Sequence, residues 1–269
     1  MKQIAIAIGV LMFMGSCTAQ KQPQSSDASH QNRKNLPILQ ATLYHQTAAE
    51  MRALAYQAFN LARLQLDREL RKAGLSRQQA IVVDIDETVL DNSPFEGKLI
   101  QEGTSYPDYW AAWIKKQKAE PIPGSVDFLN YADKKGISVF YVSNRHDSLR
   151  AATKANLKSV GFPQVKDEHI FLKTTTSSKV ERRQRISGSH DIVMLMGDNL
   201  NDFSAVFEGG TVQERYSKTD SLRKAFGSRF IVLPNAMYGE WEGAAIDYHY
   251  ELSPAEKVQK KLEKIDSFD

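Results

Sequence analysis

The sequence predicts an α/β fold, a parallel sheet with helices on both faces. Three observations carry that expectation. Five apolar runs, Ala80–Val83, Ile137–Val142, Ile170–Leu172, Ile192–Met196 and Phe230–Leu233, are continuous rather than alternating, as in strands covered on both faces. Helical stretches lie between several of them, the alternation of an α/β sheet. Acidic, hydroxyl and amide residues gather where the runs end, at the edge where open parallel sheets bind ligands.

The chain has 269 residues, room for one large domain or one domain with a cap, and a formal net charge of +3. No basic block or stripe stands out, so no nucleic-acid partner is expected. Residues 1–16 read as an export signal: Lys2, an apolar stretch from Ile4 to Met14 too short to span a membrane, then small Gly15 and Ser16. Cys17 follows at once and is the one cysteine of the chain, which excludes an intramolecular disulfide. The order Met14-Gly15-Ser16-Cys17 resembles the lipobox of bacterial lipoproteins. Residues 17–37 are polar, rich in Gln and Ser, and suit a flexible tether. The folded domain is expected over 38–269.

Ala41 to Lys72 reads as one long helix with an apolar stripe of Met51, Leu54, Ala58 and Leu61, stopped by Gly74. The helix Ser125–Lys135 stops at Gly136. Ser148–Val160 is expected to start from a capping Asp147 and to stop at Gly161. Ser253-Pro254-Ala255-Glu256 reads as a capping box with proline in the first turn. The longest stretch between runs, about 90–123, is rich in Tyr, Trp and Lys and is expected to overhang the strand ends as a smaller, mainly helical cap.

The first run ends in Asp84-Ile85-Asp86-Glu87-Thr88, the second in Ser143-Asn144-Arg145, and the fourth in Gly197-Asp198-Asn199-Leu200-Asn201-Asp202; Lys179 follows the third. Together they form a kit for phosphoryl transfer through an aspartyl phosphate. Asp84 is the candidate nucleophile, splitting one hard displacement into two easier ones. Asp86, two residues on, is the candidate general acid and then base. Ser143 and Lys179 would hold the non-bridging oxygens, with Asn144 as a further substrate contact. Crowded carboxylates need positive charge among them, and Asp198 and Asp202 make sense beside a divalent cation; all-oxygen ligation points to Mg²⁺. The six histidines show no paired zinc spacing.

The motifs DIDET, VSNR, a lysine and GDNLNDF resemble the haloacid dehalogenase (HAD) superfamily, which implies a HAD-like Rossmannoid sheet. Closer still, VVDIDETVLDNSPF, PGSVDFLNY, VFYVSNR, MGDNLNDF and LPNAMYGEWEGA are similar to the class C acid phosphatases, the outer-membrane lipoprotein e family. The resemblance runs from about residue 40 to the C-terminus. It implies that Asp84 is nucleophile and metal ligand, that Asp86 binds the metal through its main-chain carbonyl, that Asp198 completes the protein ligands, and that Asp202 supports the site from behind them. It also implies a bacterial cell envelope location, lipid-anchored at Cys17 to the outer membrane, and is compatible with a homodimer.

Members of that family hydrolyse 5′-nucleotides and other phosphomonoesters. Tyr238 belongs to the loop that resembles the family's substrate-facing segment. The cap aromatics, Trp110 among them, are either stacking platforms for a base or the cap's own core. One departure concerns the sugar: Ile114-Lys115-Lys116 follows Trp113 where many relatives carry an acid. A broad-specificity phosphatase or phosphotransferase and a non-catalytic surface binding lipoprotein remain as alternatives.

Overall fold

The computed structural model describes residues 36–72 and 77–268. The seven strands among these residues are β1 (Gln79–Val83), β2 (Leu90–Asp91), β3 (Glu120–Pro121), β4 (Ser138–His146), β5 (Ile170–Lys173), β6 (Asp191–Gly197) and β7 (Phe230–Val232). All five apolar runs became strands of one parallel sheet, ordered β5-β4-β1-β6-β7. Both faces of β1 are covered because alternate side chains enter two cores. Ile81 and Val83 join Phe59, Leu66, Phe128 and Leu129, while Ala80 and Val82 join Phe140, Ile186, Leu195 and Phe203. The chain leaves β1 for β4 and β5 on one side, then returns to β6 and β7 on the other. That reversal opens a crevice between the carboxyl ends of β1 and β6.

The N-terminal helical segment is two helices, α1 (Leu36–Thr47) and α2 (Ala49–Leu70), because Ala48 between them is extended (φ −78°, ψ 125°). The start of α1 also takes residues 36 and 37 out of the expected tether. The buried face of α2 is Met51, Ala55, Ala58, Phe59, Ala62 and Leu66, whereas Leu54 is 41% exposed. The expected stripe was displaced because three alanines, light in a hydrophobic count, allow close approach of α2 to its neighbours. The export signal, Cys17, the rest of the tether and Gly74 lie outside the described residues.

The insertion after β1 holds α3 (Ser93–Glu102) and α4 (Trp110–Lys116), closed at its base by the β2–β3 ribbon that pairs Leu90 with Pro121 and Asp91 with Glu120. It is mainly helical. Helix α5 (Ser125–Lys134) ends before Gly136, whose φ of 75° suits glycine. Asp147 does not cap: the turn before α6 (Arg150–Ser159) is capped by His146, whose ring accepts from Ser148 N–H, and Asp147 instead pairs with Arg150 at 2.6 Å. Helices α7 (Val180–Ser187), α8 (Val212–Ser221), α9 (Glu240–Ala245) and α10 (Pro254–Leu262) complete the order, and Ser253 and Glu256 form the expected capping box. Among the described residues no helix is long and apolar enough to cross a membrane.

Candidate active site

Four residues meet in the crevice between β1 and β6. The N–H of Asp84 donates to Met196 O at 2.9 Å, which holds the exits of the two strands together. Lys179, immediately before α7, donates its buried Nζ to Asp84 Oδ1 and, at 2.6 Å, to Asp202 Oδ1. Asp202 folds back over Gly197, where a Cβ would lie 2.2 Å from its Oδ2, so only glycine fits at the end of β6. Asp202 Oδ2 also accepts from Asn199 N–H at 3.1 Å. Carboxylate oxygens of Asp84, Asp198 and Asp202 lie within 4.8 Å of one another. Asp198 is steadied by neutral donors, Asn235 Nδ2 at 2.8 Å and Thr88 Oγ1 at 3.3 Å.

Asp86 faces elsewhere. Its Oδ1 accepts from Arg145 Nη2 at 2.7 Å, Arg145 Nε at 2.9 Å and Asn92 Nδ2 at 2.8 Å. Its Oδ2 accepts from Ser143 Oγ at 3.1 Å, and that hydroxyl also accepts from Arg145 N–H at 3.0 Å. The carboxylate of Asp86 is therefore apart from the three that converge. Asn144 is exposed at the end of β4, its Oδ1 taken by Arg182 Nη2 at 2.7 Å, which leaves its amide N–H groups as donors.

The carboxylates tolerate one another through two protein cations, Lys179 and Arg145, which sequence reasoning had assigned entirely to a metal. Burial raises the pKa of Asp84 from 3.8 to about 7; Lys179 opposes the rise, and Asp202 and Asp86 add to it. Burial, then Asp202 and Asp84, push Asp198 well above the usual range. Glu87 is likewise pushed up by burial, then by Asp86 and Asp198; its Oε1 accepts from Asn92 N–H at 2.6 Å. Burial works against the charge of Lys179, but Asp202 and Asp84 outweigh it and raise its pKa. A largely buried, all-oxygen set whose member Asp198 pairs with no cation among the described residues fits a hard divalent ion. Asp84 and Asp198 would hold it.

The aromatic candidates divide. Trp113 packs against the main core and donates Nε1–H to Asn92 Oδ1 at 2.8 Å, so its ring is engaged within the protein and is no platform for a base. Trp110 is half-buried, its ring edge-on to Phe95 at 4.9 Å and 5.8 Å from the Arg145 guanidinium. Tyr238 is half-buried on the loop that brings Asn235 to Asp198, and among the described residues no ring contact joins it to Trp110. Sequence reasoning passed over Arg145, Arg182 and Asn92. The signal for Arg145 was present: one arginine at a strand end facing an acid-rich strand end.

A parallel sheet with carboxylates at its switch point and a lysine between them defines the HAD class of phosphotransfer folds. The family model of the HAD superfamily, subfamily IIIB (acid phosphatase), matches residues 10–241, and the chain belongs to that family. It is 44% identical to the class C acid phosphatase from Bacillus anthracis, covering 89% of this chain and 99% of that one with a TM-score of 0.84; a second structure of that enzyme has tungstate bound. It is also similar to a stem 31 kDa glycoprotein of Glycine max, 26% identical over 58% of each chain. Vegetative storage protein 1 of Arabidopsis thaliana is 29% identical over 45% of this chain and 47% of its own length. The chain thus spans under two thirds of both plant relatives.

Removing divalent ions exposes the proton uptake of this cluster. The folded protein holds on Asp84 a proton that the unfolded chain releases near pH 3.8, so between there and about 7 the folded state binds more protons. Stability of the EDTA-treated protein should therefore fall as pH rises across that window. Excess Mg²⁺ should raise Tm most at the upper end; a Tm that rises with pH in EDTA would contradict the assignment.

Proposed function

We propose that the protein is a Mg²⁺-dependent phosphomonoesterase that acts through a phosphoryl group carried on Asp84, with nucleoside 5′-monophosphates as preferred substrates. One observation carries the reading: Asp84, Lys179, Asp198 and Asp202 converge at the sheet's switch point. The tungstate bound by the Bacillus anthracis relative, an oxyanion, agrees with a phosphate-sized pocket.

Asp84 attacks phosphorus and the ester oxygen leaves. Lys179 offsets charge on the phosphoryl oxygens. Because Oδ1 of Asp86 already accepts three donors, Oδ2 is the oxygen left to give the leaving group its proton and later to take one from water. Ser143 Oγ–H turns from that oxygen to the phosphate. Asp84 and Asp198, with the main-chain carbonyl of Asp86, would hold Mg²⁺, which when bound would supply the positive charge that lets these acids and a phosphate share one pocket. The storage reading suggested by a plant relative is disfavoured because nucleophile, acid and lysine are all in place.

Asp84→Asn should abolish turnover. Asp86→Asn should lower kcat/KM on an alkyl phosphate by about 100-fold or more, yet much less on p-nitrophenyl phosphate, whose leaving group needs little protonation. Equal losses on both would argue against Asp86 as the acid.

The base is placed on Tyr238, with Trp110 on its other side. Tyr238→Ala should raise KM for nucleoside 5′-monophosphates by about tenfold to a hundredfold and leave ringless esters little changed. A uniform effect would make the residue structural.

We propose also that lipidated Cys17 anchors the protein to the outer membrane, a reading that the lipobox resemblance supports and with which a homodimer is compatible. Cys17→Ser should release it from the membrane fraction; unchanged retention would refute the anchor.

A further inference from the structure

Asp86 is aimed by groups that are themselves gripped by the cap. The Arg145 side chain is wholly buried; besides its two bonds to Asp86, its Nη1 reaches Thr153 Oγ1 and its Nη2 reaches Asn92 Oδ1, each at 3.3 Å. Its guanidinium lies 5.8 Å from the ring of Trp110. Asn92, also fully buried, sits just before cap helix α3. Its amide donates to Asp86 Oδ1 at 2.8 Å, its carbonyl oxygen accepts the indole N–H of Trp113 at 2.8 Å, and its backbone N–H donates to Glu87 at 2.6 Å. Trp110 and Trp113 are both on α4.

One short cap helix thus touches both residues that orient the acid. We propose that Arg145 and Asn92 are positioning residues that make the aim of Asp86 depend on the seating of α4, through the Trp113 N–H on Asn92 and the Trp110 ring on Arg145. Of the groups that hold phosphate, Lys179 lies outside this chain of contacts, tied to Asp84 and Asp202, and Ser143 meets Arg145 only through the main-chain N–H of Arg145, which side-chain substitution leaves in place. The coupling through the Arg145 and Trp113 side chains therefore acts on proton delivery, and phosphate keeps its contacts with Lys179 and Ser143. A carboxylate shifted by a fraction of an ångström still occupies its pocket but no longer meets the leaving oxygen.

This inference rests on the reading of Asp86 as general acid, and the experiment separates the two. Trp113→Phe removes the indole donor and keeps an aromatic ring; Arg145→Lys keeps the charge and loses the fork. For each, kcat/KM is measured on p-nitrophenyl phosphate and on an unactivated alkyl phosphate, with Ki for inorganic phosphate as the binding readout. Both variants should lose about tenfold to a hundredfold on the alkyl ester, the scale on which groups orienting an active residue act. The loss on the aryl ester and the change in Ki should each stay within about twofold. Parallel losses on both esters, or a raised Ki, would show a merely structural role and overturn the coupling. An unchanged alkyl-to-aryl ratio in Trp113→Phe would overturn it too. If Asp86→Asn is selective for the alkyl ester and these variants are not, the coupling alone falls. If Asp86→Asn is itself unselective, the acid assignment falls and the coupling with it.

Discussion

The Nζ of Lys179 lies between the carboxylates of Asp84 and Asp202, all three residues buried, and without it two anions at the ends of neighbouring strands would face one another in a water-poor crevice. Charges buried in this way are tolerated only when paired, and removing one partner of such a pair typically costs about 3–5 kcal/mol. The lysine is held in place by its surroundings. Arg182, one turn into α7, donates to Ser143 O at 2.7 Å and to Ser178 O at 2.9 Å, stitching the segment that carries Lys179 to the end of β4. Strand exits that diverge in sequence are thereby locked around a single ammonium.

The backbone meets the same constraint from the other side. Asp202 reaches Lys179 only because β6 ends in Gly197, which leaves room for its carboxylate, and because Asn199 and Asp202 cap each other's turn. Glu87, with φ of 56°, turns the chain sharply after Asp86 so that β2 can return to the base of the cap. Polar side chains that look interchangeable in the loop thus have separate duties. After β1, Asp84 faces the crevice, Asp86 meets Arg145 and Glu87 closes the turn; after β6, Asp198 and Asp202 face the crevice.

Family membership and activity are separate matters, since one fold carries both phosphatases and relatives named for storage. What bears on activity here is the local set: a carboxylate at the switch point with a lysine on it, and a second carboxylate whose Oδ2 meets only the Ser143 hydroxyl. Two buried cations share the anionic load, and a divalent ion fits beside Asp198, which among the described residues pairs with neither.

The sheet was legible in the sequence because strands covered on both faces leave unbroken apolar runs, and all five runs became strands. Asp84, Asp86, Ser143, Lys179, Asp198 and Asp202 were legible because each follows such a run, and parallel strands deliver their carboxyl ends to one edge. The register of α2 was not, because its packing face is made of alanines whose value lies in close approach rather than in hydrophobicity. Nor was the role of Asp147, since a cap and an ion pair ask for the same residue type. Only the tertiary structure decided which cation meets which acid: Lys179 is 95 residues from Asp84, and Arg145 is 59 from Asp86. Local pattern determines where chemistry emerges from the sheet. Pairing between distant charges depends on strand order and on the depth of burial, and neither is written in any short stretch of chain.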